Sequence, residues 1–187
     1  MTVLFDPLRQ AEVAWDVVCV GAASPEAVRQ RQRERLVGLL DAARAAPMFR
    51  KLLAGREAGD IALTELPIAR KGVLMRHFDD WVTDPALRLP ALRAFTAEPQ
   101  QIAQPYLGRY QIWESSGTSG TPAVFVQDAR AMAVYDALEG LRRAWPRTVF
   151  GWPVPTLPGP RIAFVGATSG HFASVVSVLR LRQLNPF

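Results

Sequence analysis

Eight consecutive small residues constrain the fold of this chain more than any other feature. Residues 115–122 read Ser-Ser-Gly-Thr-Ser-Gly-Thr-Pro, with two glycines and five hydroxyl side chains in one stretch. Short apolar segments flank it, with Tyr110, Ile112 and Trp113 before it and residues 123–126 after it. Apolar runs on both sides of a turn-forming stretch predict two short strands joined by a loop, in the manner of a hairpin.

The composition of this loop indicates anion binding. Glycine allows positive φ angles, so the backbone can turn its N–H groups inward, and serine and threonine add hydroxyl donors. Loops of this kind wrap an anionic oxygen as backbone nests do, and phosphate is the obvious ligand. A plain hairpin turn is the alternative, but a hairpin needs only two to five residues and gains nothing from five hydroxyls.

The loop differs from three familiar glycine motifs. Gly120 is followed by Thr121 and Pro122 rather than by the lysine of the common phosphate loop. The dinucleotide pattern Gly-x-Gly-x-x-Gly occurs nowhere in the chain. The spacing from Gly117 through Ser119 to Gly120 is also wrong for the nucleophile elbow of serine hydrolases.

Before the loop, the pattern predicts helices. One runs from about Gln10 to Val20, and a second begins at Ser24-Pro25-Glu26, where serine caps and proline suits the first helical position. The second helix should end before Pro47, and its polar first half should project into solvent or pack only through its arginine stems. A short helix is predicted from Gly72 to Trp81.

After the loop, the pattern predicts an α/β arrangement. Asp128 should cap a helix whose apolar stripe is Val134, Leu138, Leu141 and Trp145. Further on, a strand at 161–165, a turn at 166–170 and a helix at 171–182 follow in order. A strand, a tight turn and a helix form the repeating unit of an α/β sheet.

Composition and charge limit the classes of binding partner that we expect for this chain. The 187 residues carry 22 basic and 17 acidic side chains, with a local cluster of Arg29, Arg31, Arg33 and Arg35. Charge runs are usually solvated helix faces, so we expect an arginine-rich surface rather than a nucleic-acid interface. No apolar run approaches the roughly 18–20 residues of a membrane span, so we expect no membrane partner. No basic leader precedes the apolar stretch from Ala11 to Ala23, so we expect no cleaved signal peptide.

Cysteine and histidine usage limits the compartment and the chemistry. The single Cys19 cannot form an internal disulfide, which makes a reducing, cytoplasmic location the default. With one cysteine and two distant histidines, His77 and His171, we expect no zinc site and assign no metal-ligating residue.

Three segments together resemble a known family. Residues 114–122 look like the Ser/Thr/Gly-rich phosphate loop of the adenylate-forming enzymes, in the variant of the phenylacetate–CoA ligase branch. Residues 66–71, Leu-Pro-Ile-Ala-Arg-Lys, resemble that branch's Leu-Pro-hydrophobic-x-x-Lys segment, and residues 46–50, Ala-Pro-Met-Phe-Arg, resemble its stretch after the first long helix. Order and spacing agree from about residue 25 to 185, and the likeness is greatest to the uncharacterised adenylate-forming proteins of that branch.

The resemblance implies a fold and an activity. Residues 1–105 would form an N-terminal helical and irregular segment, and residues 106–187 would begin an α/β AMP-binding domain that is incomplete here. The family's carboxylate substrate attacks the α-phosphate of ATP, giving an acyl-adenylate and pyrophosphate. A second nucleophile, such as the thiol of CoA, then takes the acyl group. The implied cofactor is ATP with Mg²⁺.

The resemblance also implies site residues. The β- and γ-phosphates would be held by Ser115, Ser116, Gly117, Thr118, Ser119, Gly120 and Thr121. Ser119 stands where the family usually has a second threonine, and Thr121 stands where many members of the branch carry lysine. The region of His171 and Phe172 borders the acyl pocket in the family, so these two are candidates for substrate contact; an ordinary helix-start histidine is the alternative for His171.

Several family features have no counterpart in this chain. We place no adenine-stacking segment, magnesium-binding glutamate, ribose-binding aspartate or catalytic lysine in it, and family enzymes are typically more than twice as long. We therefore expect an N-terminal fragment of a ligase, inactive on its own, or alternatively a non-catalytic remnant or binding module that retains the loop. Sequencing past codon 187 would distinguish the two. The pattern identifies neither the carboxylate, the acceptor nor the oligomeric state.

Overall fold

The chain is built mainly of helices, with short strands beside the loop. A computed structural model describes residues 4–115, 122–144, 148–149, 152–153, 163–166 and 169–184. The α-helices in these ranges are α1 (Pro7–Gly21), α2 (Pro25–Ala43), α3 (Pro47–Leu52), α4 (Lys71–Arg76), α5 (Phe78–Trp81), α6 (Leu89–Ala97), α7 (Ala129–Ala144) and α8 (Ala173–Leu184). The strands are β1 (Gln111–Glu114), β2 (Val124–Gln127), β3 (Thr148–Val149) and β4 (Trp152–Pro153). In the broad sense, the fold class is α/β, as predicted.

Two small sheets contain these strands. β1 and β2 are hydrogen-bonded neighbours, and β3 pairs with β4 in antiparallel register. Both strands predicted beside the loop are confirmed to within about one residue. The described residues form no larger sheet. Parallel pairing occurs among them as an isolated bridge between Glu114 at the end of β1 and Phe172, directly before α8.

The prediction of a strand at 161–165 is wrong for the part of that range that the structure describes. Residues 163–165 have no regular structure, and residues 161–162 lie outside the described ranges. The prediction assumed a buried apolar run, but Phe164 and Val165 are exposed, Val165 almost completely. Without burial on both faces, this run has no reason to pair as a central strand.

Local signals placed the early helices correctly. The Ser24 hydroxyl accepts a hydrogen bond from the Ala27 N–H at 3.3 Å, and Pro25 opens α2. The arginine-rich half of α2 is mostly exposed and pairs along its own helix, as Arg31 does with Glu34 at 3.3 Å. The helix predicted at 72–81 is instead two short helices, α4 and α5, separated at His77.

The chain divides into two compact units. The first comprises Met1–Val18, Glu98–Glu114 and Phe125–Phe187; the second comprises Cys19–Ala97 and Ser115–Val124. The predicted organisation into residues 1–105 and 106–187 stays a prediction.

In the first unit, β1, α7 and α8 contribute the main apolar residues. Ile112 of β1 and Val176 of α8 are completely buried, and the Trp113 ring meets the Tyr135 ring of α7 edge-on, with centroids 5.1 Å apart. The Tyr135 hydroxyl and the Ser177 Oγ are 2.8 Å apart, which joins α7 to α8.

The buried face of α7 is not the predicted one. Met132, Ala133 and Ala137 are at most 2% exposed, whereas Leu138 is 46% exposed and Val134 is half-buried. The prediction followed the large aliphatic residues, but alanine is itself often fully buried, and here Ala133 and Ala137 lie on the inward face of α7. Trp145, the last residue of the predicted stripe, lies outside the described residues.

In the second unit, the C-terminal half of α2 packs on the segment that follows α3. Leu40, Leu53, Ala58 and Ile61 form a buried cluster. Arg44 crosses this region, and its guanidinium donates a hydrogen bond to the Leu53 carbonyl at 2.9 Å. These contacts hold the segment after α3 against the C-terminal end of α2.

Candidate functional site

The described ends of the loop are joined by a pair of hydrogen bonds. The Ser115 N–H donates to the Ala123 carbonyl at 2.9 Å, and the Ala123 N–H donates to the Ser115 Oγ at 2.8 Å. Residues 116–121, the remainder of the predicted phosphate loop, lie outside the described residues. The loop therefore begins and ends at two residues that hold each other in place.

This pairing limits what Ser115 can offer a phosphate. Its N–H is already bonded to Ala123, so this amide is not a donor to an anion. Its hydroxyl accepts from Ala123 but keeps its own hydrogen, which can still be donated to a phosphate oxygen. Ser115 thus fits a phosphate through its side chain only, and any backbone N–H donors must come from Ser116 to Thr121.

The second unit also anchors the far end of the loop. Ala123 and Val124 are buried, and the Val124 N–H donates to the sulfur of Met75 in α4 at 3.4 Å. α4 begins at Lys71, the last residue of the Leu-Pro-Ile-Ala-Arg-Lys segment. A residue two positions after the loop therefore contacts the helix that begins at the last residue of this segment.

His171 and Phe172 belong to the first unit. The His171 carbonyl accepts a hydrogen bond from the Glu114 N–H at 2.7 Å, and Phe172 bridges to Glu114 in parallel register. The His171 side chain is completely buried, whereas Phe172 is half-buried. Of the two candidates for substrate contact, Phe172 is therefore the one with accessible surface, and contact with substrate stays a prediction for both.

The sequence analysis missed a buried ion pair in the first unit. Arg180 of α8 is 2% exposed and makes two hydrogen bonds to Asp136 of α7, at 2.9 and 3.1 Å. The same guanidinium donates to the Leu4 carbonyl at 2.6 Å. Arg180 lies four residues after Val176, so the spacing alone could have placed it on the inward face of α8.

A surface depression of about 260 Å³ lies beside α4, α5 and the start of α6 in the second unit. Asp79 accepts hydrogen bonds there from the Arg88 guanidinium at 3.0 Å and from the Leu89 N–H at 3.1 Å. Burial raises the pKa of Asp79, but these two hydrogen bonds outweigh it and hold the pKa below its ordinary value. His77 and Asp80 line the same depression, with Nδ1 and Oδ2 3.5 Å apart. Asp79 therefore already accepts hydrogen bonds from two donors of the protein itself.

Two further properties of the described ranges bear on function. No three His, Cys, Asp or Glu side chains in them are grouped to hold a metal ion. None of the helices described there has the length and apolar character needed to cross a bilayer.

Comparisons of the chain with protein-family models, with curated proteins and with solved structures find no match.

Proposed function

We propose that this chain forms the phosphate-binding part of an ATP-dependent ligase that activates a carboxylate as an acyl-adenylate. The observation that supports this most is the closed loop base: Ser115 and Ala123 bind each other while six glycine, serine and threonine residues stand between Ser115 and Pro122. A simple turn does not need so long a run of hydroxyl residues. The contact of Val124 with Met75 adds support, because it joins the residue two positions after the loop to the helix that begins at Lys71, the last residue of the Leu-Pro-Ile-Ala-Arg-Lys segment.

In this proposal the residues of the loop bind and orient a triphosphate. The Ser115 hydroxyl and the groups of residues 116–121 donate hydrogen bonds to the β- and γ-phosphate oxygens, which positions the α-phosphate for a carboxylate. ATP, when bound, supplies the electrophilic phosphorus and pyrophosphate as the leaving group. CoA or another nucleophile is the proposed acceptor, and a small-molecule carboxylate is the proposed substrate.

Thr121 determines the strength of binding in this proposal. A lysine at this position would add a cation beside the phosphates, and charge-assisted hydrogen bonds are the stronger ones. Because this chain has threonine instead, we expect it to bind ATP weakly. Replacement of Thr121 by lysine should therefore increase ATP affinity.

The test is the dissociation constant for ATP at one fixed salt concentration. Thr118→Ala should weaken binding by about one to two decades, since a hydrogen bond to a charged oxygen contributes about 1.5–3 kcal/mol. Thr121→Lys should tighten it. Thr96→Ala, the same type of change on α6, is the matched control and should leave the constant unchanged. Equal affinity in all four proteins would identify the loop as a structural turn and overturn the proposal.

A further inference from the structure

One face of β1 carries two buried N–H groups that have no acceptor in the described part of the chain. The Gln111 side chain is almost completely buried, and neither its Nε2 nor the buried Nε1 of Trp113 has a hydrogen-bond partner there. Successive side chains point to opposite faces of a strand, so Gln111 and Trp113 share a face, and Ile112 lies on the other. We call Gln111 Nε2 and Trp113 Nε1 the β1 donors.

The face that carries the β1 donors is turned towards α7, which hydroxyl groups join to α8. The Trp113 ring meets the Tyr135 ring edge-on, and the Tyr135 hydroxyl lies 2.8 Å from the Ser177 Oγ. Only one hydrogen is shared in such a pair, so the second hydroxyl keeps a hydrogen that it can donate. All four residues belong to the first unit, in which Trp113, Tyr135 and Ser177 are half-buried. The four residues thus extend from a buried end at Gln111 to partly exposed surface.

Unpaired donors of this kind indicate a ligand. A buried N–H without an acceptor costs free energy, and the large majority of buried polar side-chain atoms in proteins have a partner. An apolar side chain at position 111 and a phenyl ring at position 113 would fill similar space without that cost. The indole N–H can only donate, so a second donor cannot satisfy it. Two such groups on one face indicate that their acceptor comes from outside the chain.

The charges of the first unit favour an uncharged acceptor. The β1 donors and the two hydroxyls are neutral, and the guanidinium of Arg180, three residues after Ser177, is already bound to the Asp136 carboxylate. A buried carboxylate without a cation of its own is costly, so these donors suit a neutral oxygen. A carbonyl oxygen has two lone pairs and no hydrogen, which matches two N–H donors, whereas a hydroxyl would bring a hydrogen that needs an acceptor.

We propose that the β1 donors bind a ketone or amide carbonyl in the acyl part of the carboxylate that this protein activates. The inference rests on the proposed function and names its substrate class, a carboxylic acid with a second, uncharged carbonyl group. The reacting carboxylate stays free for the α-phosphate, while Gln111 and Trp113 donate to the carbonyl oxygen. An acid of the same length without this carbonyl leaves both donors unpaired, so the site discriminates against it.

The test compares the binding of paired acids by the full chain, measured by calorimetry at one pH and one salt concentration. The probes are straight-chain oxo acids that differ in the position of the keto group, each paired with the acid that lacks it. We expect an oxo acid to bind about tenfold more tightly than its parent, as two hydrogen bonds predict. Gln111→Met should reduce this preference about three- to tenfold, since one donor is lost. Gln32→Met, the same change at an exposed residue of α2, should leave it unchanged.

Stability distinguishes a ligand-binding role from a structural one. Without ligand, Gln111→Met and Trp113→Phe should unfold at urea concentrations no lower than the wild type, because each removes an unpaired donor. If Gln111→Met does not fold, Trp113→Phe replaces it in the comparison of paired acids. Loss of stability in both variants, equal affinity of the wild type for every oxo acid and its parent, or a preference that both variants retain would each overturn the inference.

Titration with pyrophosphate separates this result from the proposed function. Pyrophosphate binding without a preference for oxo acids overturns the carbonyl site alone. A preference for oxo acids without pyrophosphate binding supports carbonyl binding by Gln111 and Trp113 and overturns the proposed function.

Discussion

Arg180 places a full charge in the interior of the first unit. Its guanidinium is 2% exposed, and its partners are the Asp136 carboxylate and the Leu4 carbonyl. Burying two charges is costly, and the bidentate geometry together with the hydrogen bond to the Leu4 carbonyl offsets part of that cost, while the Arg180 Nε is buried without a hydrogen-bond partner among the described residues. Arg180 therefore links α8 to α7 and to the residues before α1.

Removal of one partner should destabilise the protein strongly. Asp136→Ala leaves the buried guanidinium of Arg180 without its counter-charge, so we expect the free energy of unfolding to fall by about 3–5 kcal/mol. Replacement of both residues, as Arg180→Met with Asp136→Leu, should cost much less, because no buried charge remains. Urea denaturation of the three proteins measures these differences.

The exposed pair of Arg29 and Glu26 is the control for this prediction. Their charged atoms are 2.5 Å apart, and the two side chains are 58% and 73% exposed. Surface pairs contribute about 0–1 kcal/mol, so Arg29→Ala should change stability little. An Asp136→Ala effect no larger than that of Arg29→Ala would show that burial of the Arg180 pair does not matter energetically.

Single residues also show where sequence reasoning succeeds and fails. Ser24 and Asp128 were predicted as helix caps, and both are confirmed, since each side chain accepts a backbone N–H within three residues. The Arg180 pair was missed because Asp136 is 44 residues away in the chain. Capping depends on neighbours in sequence, whereas an ion pair between two helices depends on how those helices pack.

α7 shows that a sequence pattern can predict a whole helix without predicting which of its faces is buried. Its existence and its start at Asp128 were predicted, but its buried face was not, because the prediction weighed large residues and overlooked Ala133 and Ala137. The two short strands beside the loop were predicted because their apolar patterns are local. The strand at 161–165 was not found in residues 163–165, because only tertiary packing decides whether such a run is buried.

A pair of alanine substitutions on α7 distinguishes the observed face from the predicted one. Met132 is 1% exposed, so Met132→Ala should lower the free energy of unfolding by about 2–5 kcal/mol through lost burial and a cavity. Leu138 is 46% exposed, so Leu138→Ala should cost less than about 1 kcal/mol. Chemical denaturation measures both, and a larger loss for Leu138→Ala would contradict the observed packing.

The organisation of the whole chain into two units was beyond the reach of sequence patterns. Each unit joins segments that are distant in sequence, as when Ser115–Val124 joins Cys19–Ala97 through the contact of Val124 with Met75. Composition and periodicity describe segments one at a time and carry no information on such pairings. The loop, by contrast, could be predicted as a candidate site because its hydroxyl and glycine residues are concentrated in eight consecutive positions.

The proposal that residues 115–121 hold phosphate is tested most directly by backbone amide NMR of the labelled chain during titration with pyrophosphate. We expect saturable shifts centred on residues 116–121, with a smaller change at Ser115, because its N–H is already bonded to Ala123. Shifts confined to the arginine-rich part of α2, or unchanged resonances for residues 116–121, would contradict phosphate binding by this loop.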